Sequence, residues 1–319
     1  MRLLMMGTGP FAVPTFARLY ETRHEVVALV TAPMRYHRGK PVPPISNIRQ
    51  IAEQHATPIY DPESINTPEA QARVAEFCPD LLIVCDYGQI LAPATLATAR
   101  HGGINLHASL LPQYRGAAPI NWAIYNGDTE TGVTVIHMSP QIDAGPCIAQ
   151  TRVAIGPDET AAEVEMRLAE LGAGLIAESI DLIGQGRQQA IPQDGSKVTG
   201  APRLKKTHGI IDWNRSALAI KNHIRALEPW PRTYTYWHRA TGPAVRLILG
   251  PAKVEENCDY SAAPGTVLEA SGGRLVIAAG EGAVALESLQ PAGKRWMKAE
   301  EFLRGHPIHV GDRFGPGDE

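Results

Sequence analysis

The chain has 319 residues, of which 44% are hydrophobic and 20% charged, with a formal net charge of −3. At ~100–200 residues per domain this suits two domains; the near-balanced charge excludes a globally basic nucleic-acid binder, and no apolar run approaches the ~20 residues that span a bilayer. Four scattered cysteines, Cys78, Cys85, Cys147 and Cys258, suggest neither a disulfide framework nor a zinc site, so a soluble protein of the reducing cytoplasm is expected, without a metal.

The apolar start Met1–Met6 is cut off by Gly7-Thr8-Gly9-Pro10, short of the ~7–15 residues of a signal h-region, and reads as a buried first strand. Further strands are expected at Val26–Thr31, Leu81–Cys85 and Ile104–Leu106, with helices at Ala12–Tyr20, Ile45–Gln54 and Pro68–Phe77. Such alternation predicts a doubly wound, mostly parallel α/β sheet. Gly132–Met138 and Cys147–Val153 then flank Asp143 and are expected to pair, placing it at a sheet rim. Thr160 and Glu163 form a capping-box pattern ahead of the helical repeat Val164, Leu168, Leu171, Leu175 and Ile176.

Residues 191–208 are rich in Pro and Gly among polar and basic residues, the composition of a linker, which gives domains of 1–190 and 209–319. Beyond it a helix is predicted at Ser216–Leu227. Five short strands follow at Thr233–Trp237, Val245–Leu249, Thr266–Leu268, Leu275–Ala278 and Val284–Leu289, the pattern of a small barrel of the oligonucleotide-binding type.

The turn Gly7-Thr8-Gly9-Pro10-Phe11-Ala12 imitates the dinucleotide fingerprint. The second strand ends Leu29-Val30-Thr31-Ala32-Pro33 without an acid for ribose hydroxyls, and Pro10 removes a backbone donor where a pyrophosphate would sit, so a dehydrogenase is disfavoured. Asn105 and His107 are two apart at the end of an apolar run and can share one face of a strand; with Asp143 downstream they supply an amide, an imidazole and a carboxylate. Those groups suit acyl transfer: the first two donate to an oxyanion and the third orients the imidazole and takes up a proton. Ser109 lacks a G-x-S-x-G setting, which argues against a serine hydrolase.

The run from Asn105 to Pro112, Tyr114-Arg115-Gly116-Ala117-Ala118-Pro119 and Asp143-Ala144-Gly145 closely resembles the folate-dependent formyltransferase family. The resemblance covers essentially the whole chain: Gly7–Ala12 is similar to the family's opening, Ile211–Trp213 and Ala226–Pro231 to its linker and second domain, and Pro291–Met297 to a late strand region. One departure is Gly9, where the family has proline. The resemblance implies a formyltransferase (Rossmann-like) domain followed by an OB-like barrel, 10-formyltetrahydrofolate as donor, Asn105, His107 and Asp143 as catalytic residues, and Ser109, Leu110, Leu111 and Pro112 as folate contacts.

Two basic features point to methionine carried on initiator tRNA as acceptor. Arg35, Arg38 and Lys40 lie in a proline-framed loop that resembles a tRNA-contacting loop of the family, and Lys197–Arg246 holds ten basic residues against two acidic ones, Lys205 and Lys206 among them, with aromatics interleaved. The alternatives are transfer to a nucleotide-linked amino sugar, formate release from the same donor, and a non-catalytic tRNA-binding protein on this scaffold. A large acceptor that must reach both domains favours a monomer.

Overall fold

A computed structural model describes residues 1–37, 40–41, 46–239, 241–255 and 262–317, with 36–37 and 40–41 as backbone only. The chain divides into two units, one comprising Met1–Pro119, Glu130–Ala154 and Val164–Pro202, the other Ile120–Thr129, Ile155–Glu163 and Arg203 onward.

The first unit is built on seven strands: β1 (Arg2–Gly7), β2 (Glu25–Val30), β3 (Ile59–Tyr60), β4 (Leu81–Cys85), β5 (Gly103–His107), β6 (Glu130–His137) and β7 (Cys147–Ala154). Their order is β7-β6-β5-β4-β1-β2-β3. The five from β5 to β3 run parallel, while β6 pairs antiparallel with both β5 and β7. β1 and β4 are buried almost throughout and read as continuous apolar runs, because a doubly wound sheet is covered on both faces. The helices are α1 (Ala12–Leu19), α2 (Asn47–Gln54), α3 (Pro68–Glu76) and the one-turn α4 (Pro93–Leu96). Strand order reverses between β1 and β4, the crevice where open α/β sheets bind ligands at their carboxyl ends. The expected doubly wound, mostly parallel sheet is therefore present, with element ends within a residue or two of those predicted from sequence; Ile45 falls outside the described residues.

Two further helices straddle the division between the units. α5 (Pro119–Asn126) falls in the second unit from Ile120, and α6 (Ala161–Gly184) falls in the first from Val164. The capping box ahead of α6 is formed: Glu163 N–H donates to Thr160 Oγ1 at 3.3 Å and the Thr160 N–H donates back to Glu163 Oε2 at 2.8 Å. Ile191 exchanges backbone hydrogen bonds with Cys147, and Gly200–Ala201 pairs in parallel with Arg115–Gly116, so the polar stretch after α6 is tied to the first unit as far as Pro202.

The second unit contains α7 (Ala217–Ala226), capped by Ser216, whose hydroxyl accepts from Ala219 N–H, and the seven-residue α8 (Ala299–Gly305). Its strands form two antiparallel sheets. With β8 (Thr233–His238), β9 (Val245–Leu249), β10 (Ala252–Glu255), β11 (Val267–Ser271), β12 (Arg274–Ala278), β13 (Ala283–Leu286), β14 (Ser288–Pro291), β15 (Met297–Lys298) and β16 (Arg313–Gly315), the orders are β15-β14-β9-β8-β16 and β10-β13-β12-β11. A bridge between Thr266 and Arg313 joins the sheets at one corner. The barrel-like reading holds with more strands than the five expected: the predicted run Val284–Leu289 breaks at Glu287 into β13 and β14, which serve different sheets. Along β8 the residues Thr233, Thr235 and Trp237 face a core containing Leu247, Phe302 and Phe314, while Tyr234, Tyr236 and His238 face outward.

Candidate active site

Asn105 lies on β5 and His107 ends it, while Asp143 stands in the loop between β6 and β7. β6 runs antiparallel to β5 and ends with His137 beside Ile104, so the loop that follows folds back along β5 for Asp143 to reach Asn105 and His107. Asp143 adopts a left-handed backbone (φ 50°), unusual for a residue with a side chain. Gly145 is required two residues later: a Cβ there would sit 1.7 Å from the His137 carbonyl oxygen.

The three side chains converge. Asn105 Nδ2 donates to Asp143 Oδ1 at 3.3 Å, and His107 Nδ1 lies 3.5 Å from Asp143 Oδ2. The Gly116 N–H donates to the same Oδ2 at 2.9 Å. His107 is buried, and its Nε2 donates to the Tyr114 carbonyl at 2.9 Å, since a carbonyl oxygen can only accept. Both ring nitrogens thus face oxygen atoms, Nε2 the Tyr114 carbonyl and Nδ1 the Asp143 carboxylate. Asn105 gives one amide hydrogen to Asp143 and retains a second.

A bracing layer that the sequence did not reveal holds this trio. Gln193 Nε2 donates to the backbone carbonyls of Asp143 (2.7 Å) and Gly145 (2.8 Å), fixing the strained loop, and Gln193 Oε1 accepts from Arg115 Nε (3.1 Å) and Nη2 (2.7 Å). Gly116 has φ 128°, and a Cβ on it would meet the Ala201 carbonyl oxygen at 2.5 Å. No local pattern marks Gln193, because its partners Arg115, Asp143 and Gly145 lie some 48–78 positions away.

The segment Ser109–Pro112 forms the turn after β5. The Ser109 hydroxyl donates to the Gln113 carbonyl at 2.6 Å, the Leu111 N–H to Thr134 Oγ1 at 3.2 Å, and Gln150 Nε2 to the Leu111 carbonyl at 3.0 Å. Ser109 and Leu111 are buried, so their polar groups are engaged in building the turn, while Leu110 and Pro112 are half-exposed.

Gly9 also has a structural account. The Thr8 and Gly9 N–H groups donate to the Asp86 carbonyl at 3.0 and 3.3 Å, and a Cβ on Gly9 would fall 1.7 Å from Asp86 Oδ2. The Asp86 carboxyl occupies the space that a side chain at position 9 would take. Asp86 follows β4, the neighbour of β5, and is itself left-handed (φ 48°). Its carboxyl is pushed up to about 6, first by loss of hydration and then by the negative charge of Glu165.

The expected acceptor contacts are spread over both units. Arg35 is exposed and pairs with Glu63 at 2.6 Å in the first unit. Lys205 and Lys206 are exposed in the second unit and form no ion pair among the described residues. Arg38 lies outside the described residues, and of Lys40 only the backbone is described, in a short antiparallel pairing with His37.

Residues 1–180 match the model of the formyl transferase family and residues 203–307 that of the formyl transferase C-terminal domain. The chain belongs to the formyltransferase family. This formyltransferase is 41% identical to a methionyl-tRNA formyltransferase of Rhodopirellula baltica over 98% of its own length and 96% of the relative's. It is 38% identical to one of Geobacter sulfurreducens, over 99% and 97% of the two chains. Among solved structures, an N-formyltransferase from Helicobacter canadensis, in complex with folinic acid and dTDP-3-aminofucose, superposes with a TM-score of 0.66 over 91% of this chain and 98% of that one; at 17% identity this likeness shows the fold. The formyltransferase is thus an enzyme of one-carbon group transfer whose family uses folate.

Proposed function

We propose that the enzyme moves the formyl group of 10-formyltetrahydrofolate to the α-amine of methionine carried on initiator tRNA. The observation that carries the chemistry is the convergence of Asn105, His107 and the Gly116 N–H on Asp143 at the carboxyl edge of the sheet. The amine attacks the formyl carbon, a C–N bond forms, and the carbonyl electron pair moves onto oxygen. The remaining Asn105 N–H donates to that oxyanion, and the His107 ring gives it a second hydrogen bond by turning an N–H from Tyr114 or Asp143 toward it. Asp143 accepts the ammonium proton, directly or through water, and the proton passes to the folate nitrogen as its bond to the formyl carbon breaks. Ile142, exposed beside Asp143, and the Ser109–Pro112 turn offer apolar surface for the folate ring.

The acceptor assignment draws support from the relatives matched over nearly their whole length and from Lys205 and Lys206, which are exposed and form no ion pair among the described residues. Within this reading residues 1–190 are catalytic, 191–208 link, and 209–319 bind tRNA, with Arg35, Arg38 and Lys40 as further contacts. The enzyme then works as a monomer in the cytoplasm.

The test is a transfer assay with labelled formyl donor, offering methionyl-tRNA and an amino-sugar nucleotide in competition. Label is expected on the tRNA; label on the sugar would move the reading to the second acceptor. Asp143→Asn is expected to lower kcat by about 10²–10⁴ with donor binding retained, and near-normal turnover would remove Asp143 from its role.

A further inference from the structure

Beside Lys205 and Lys206 the second unit carries a cleft lined by Asn121, Trp122, Tyr125, Leu204, His208 and Leu227. All six belong to that unit. Three of them are rings: Trp122 meets Tyr125 edge to face at 5.1 Å and His208 at 5.5 Å. Leu204 and Leu227 are buried and give an apolar floor, while Trp122, Tyr125 and His208 are half-exposed.

The polar groups around the rings are arranged with one sense. The Arg215 guanidinium lies 4.4 Å above the Tyr125 ring centre. His208 Nδ1 accepts the Lys205 N–H at 3.2 Å, which places the ring proton on Nε2 as a donor. Lys205 and Lys206 lie between Leu204 and His208, so chain connectivity sets both at the rim. Donors and cations edge an aromatic surface, which is the complement of an anion attached to a flat ring.

The size of the cleft decides what kind of molecule that is. At about 60 Å³ it is far smaller than the ~300–1,000 Å³ that encloses most of a small ligand, and less than half of the ~150 Å³ cavity that takes up a benzene. A free small molecule would gain too little burial here. A polymer can set one ring against the mouth while its charged backbone stays outside.

We propose that this cleft stacks an unpaired nucleotide of the acceptor RNA, its base or ribose against Trp122 and its phosphates against Lys205 and Lys206. The proposal rests on the reading of tRNA as acceptor. It adds Trp122, Tyr125 and His208 to the recognition surface and makes α5 a substrate-contacting element.

Purified full-length enzyme is assayed with methionyl-tRNA and the folate donor, and tRNA binding is followed by tryptophan emission. Since the chain has five tryptophans, the signal must be assigned by substitution. Trp122→Leu is expected to raise the acceptor KM by about 5–100-fold, the effect of one lost stacking contact, acting on KM rather than on kcat or the donor KM. Trp122→Phe, which keeps a stacking face, is expected to stay within about threefold while losing most of the emission change. Trp122→Leu with wild-type melting and unchanged acceptor KM overturns the proposal. If that variant does not fold, the exposed pair Lys205→Ala/Lys206→Ala decides: the slope of log KM against log salt is expected to fall by about 1.4–1.8, roughly 0.7–0.9 per phosphate contact, and an unchanged slope overturns the proposal. Wild-type enzyme that fails to formylate methionyl-tRNA would sink the acceptor reading and this inference together. Normal formylation with indifferent variants would sink the cleft alone.

Discussion

At the scale of residues, the trio is brought together by backbone settings that are not negotiable. Asp143 is held left-handed by Gln193, Gly145 admits the His137 carbonyl, and Gly116 leaves room for Ala201, so the carboxylate arrives with both oxygens already engaged. The pairing of Gly9 with Asp86 is a second such fit. Because the folded-state pKa of Asp86 is raised from 3.8 to about 6, its contribution to stability is present below about pH 4 and is lost as pH rises through 6. Asp86→Asn is therefore expected to gain stability relative to wild type between about pH 4 and 7 and to hold a constant difference above. Urea midpoints at pH 4, 5.5 and 8 check this; parallel curves would exclude a raised carboxyl at this site. Asn105 and His107 were legible from their spacing, whereas Asp86 carried no signal until its contact with Gly9 was known.

At the scale of elements, α7 is fixed through its polar side chains. Arg225 donates to the Gly156 and Glu159 carbonyls (3.0 and 2.8 Å), Lys221 pairs with Asp158, and the Nε2 of buried His223 donates to the His208 carbonyl at 2.7 Å, all within the second unit. His223 is lowered to about 4, chiefly by burial, so it is neutral in the folded protein near pH 7. Its stabilising effect is complete above about pH 6.5 and is lost as pH falls from there toward 4, to an extent of about 3 kcal/mol. His223→Gln keeps a donor without the titration, and its unfolding free energy is expected to change less than wild type between pH 7 and 4.5; an equal decline in both would remove His223 as the source. Sequence periodicity gave the extent of α7, from the Ser216 cap to Leu227, but not its partners, because Gly156 and Glu159 lie some 66–69 positions away.

At the scale of the whole molecule, the net charge of −3 conceals a basic tract, and its members part company once folded. Lys221 and Arg232 enter ion pairs, Arg225 is buried, Arg215 and Arg246 cover Tyr125 and Tyr234, and Lys205 and Lys206 face solvent without an ion pair among the described residues. A tRNA acceptor held by exposed cations such as Lys205 and Lys206 predicts a salt dependence carried by a handful of phosphate contacts. The acceptor KM is expected to rise about 10–1,000-fold between 50 and 200 mM salt while the donor KM stays nearly flat, which steady-state kinetics at fixed donor and then fixed acceptor would show. A flat acceptor response would leave the basic tract without a role in recognition.

The parallel sheet, the strand pair around Asp143 and the α6 capping box were set by local sequence: apolar runs, turn glycines and a Thr–Glu spacing act over a few residues and need no distant partner. The sequence by itself also placed an amide, an imidazole and a carboxylate in the chain and, through its long motif, pointed to formyl transfer. Only the tertiary structure decided that Gln193 and Arg115 brace the Asp143 loop, that Asp86 fills the space at Gly9, that one predicted strand is divided between two sheets, and that α5 presents Trp122 and Tyr125 beside Lys205 and Lys206. Each of these depends on groups distant in sequence meeting at hydrogen-bond or van der Waals range, and such meetings are set by how the elements pack rather than by the pattern within any one of them.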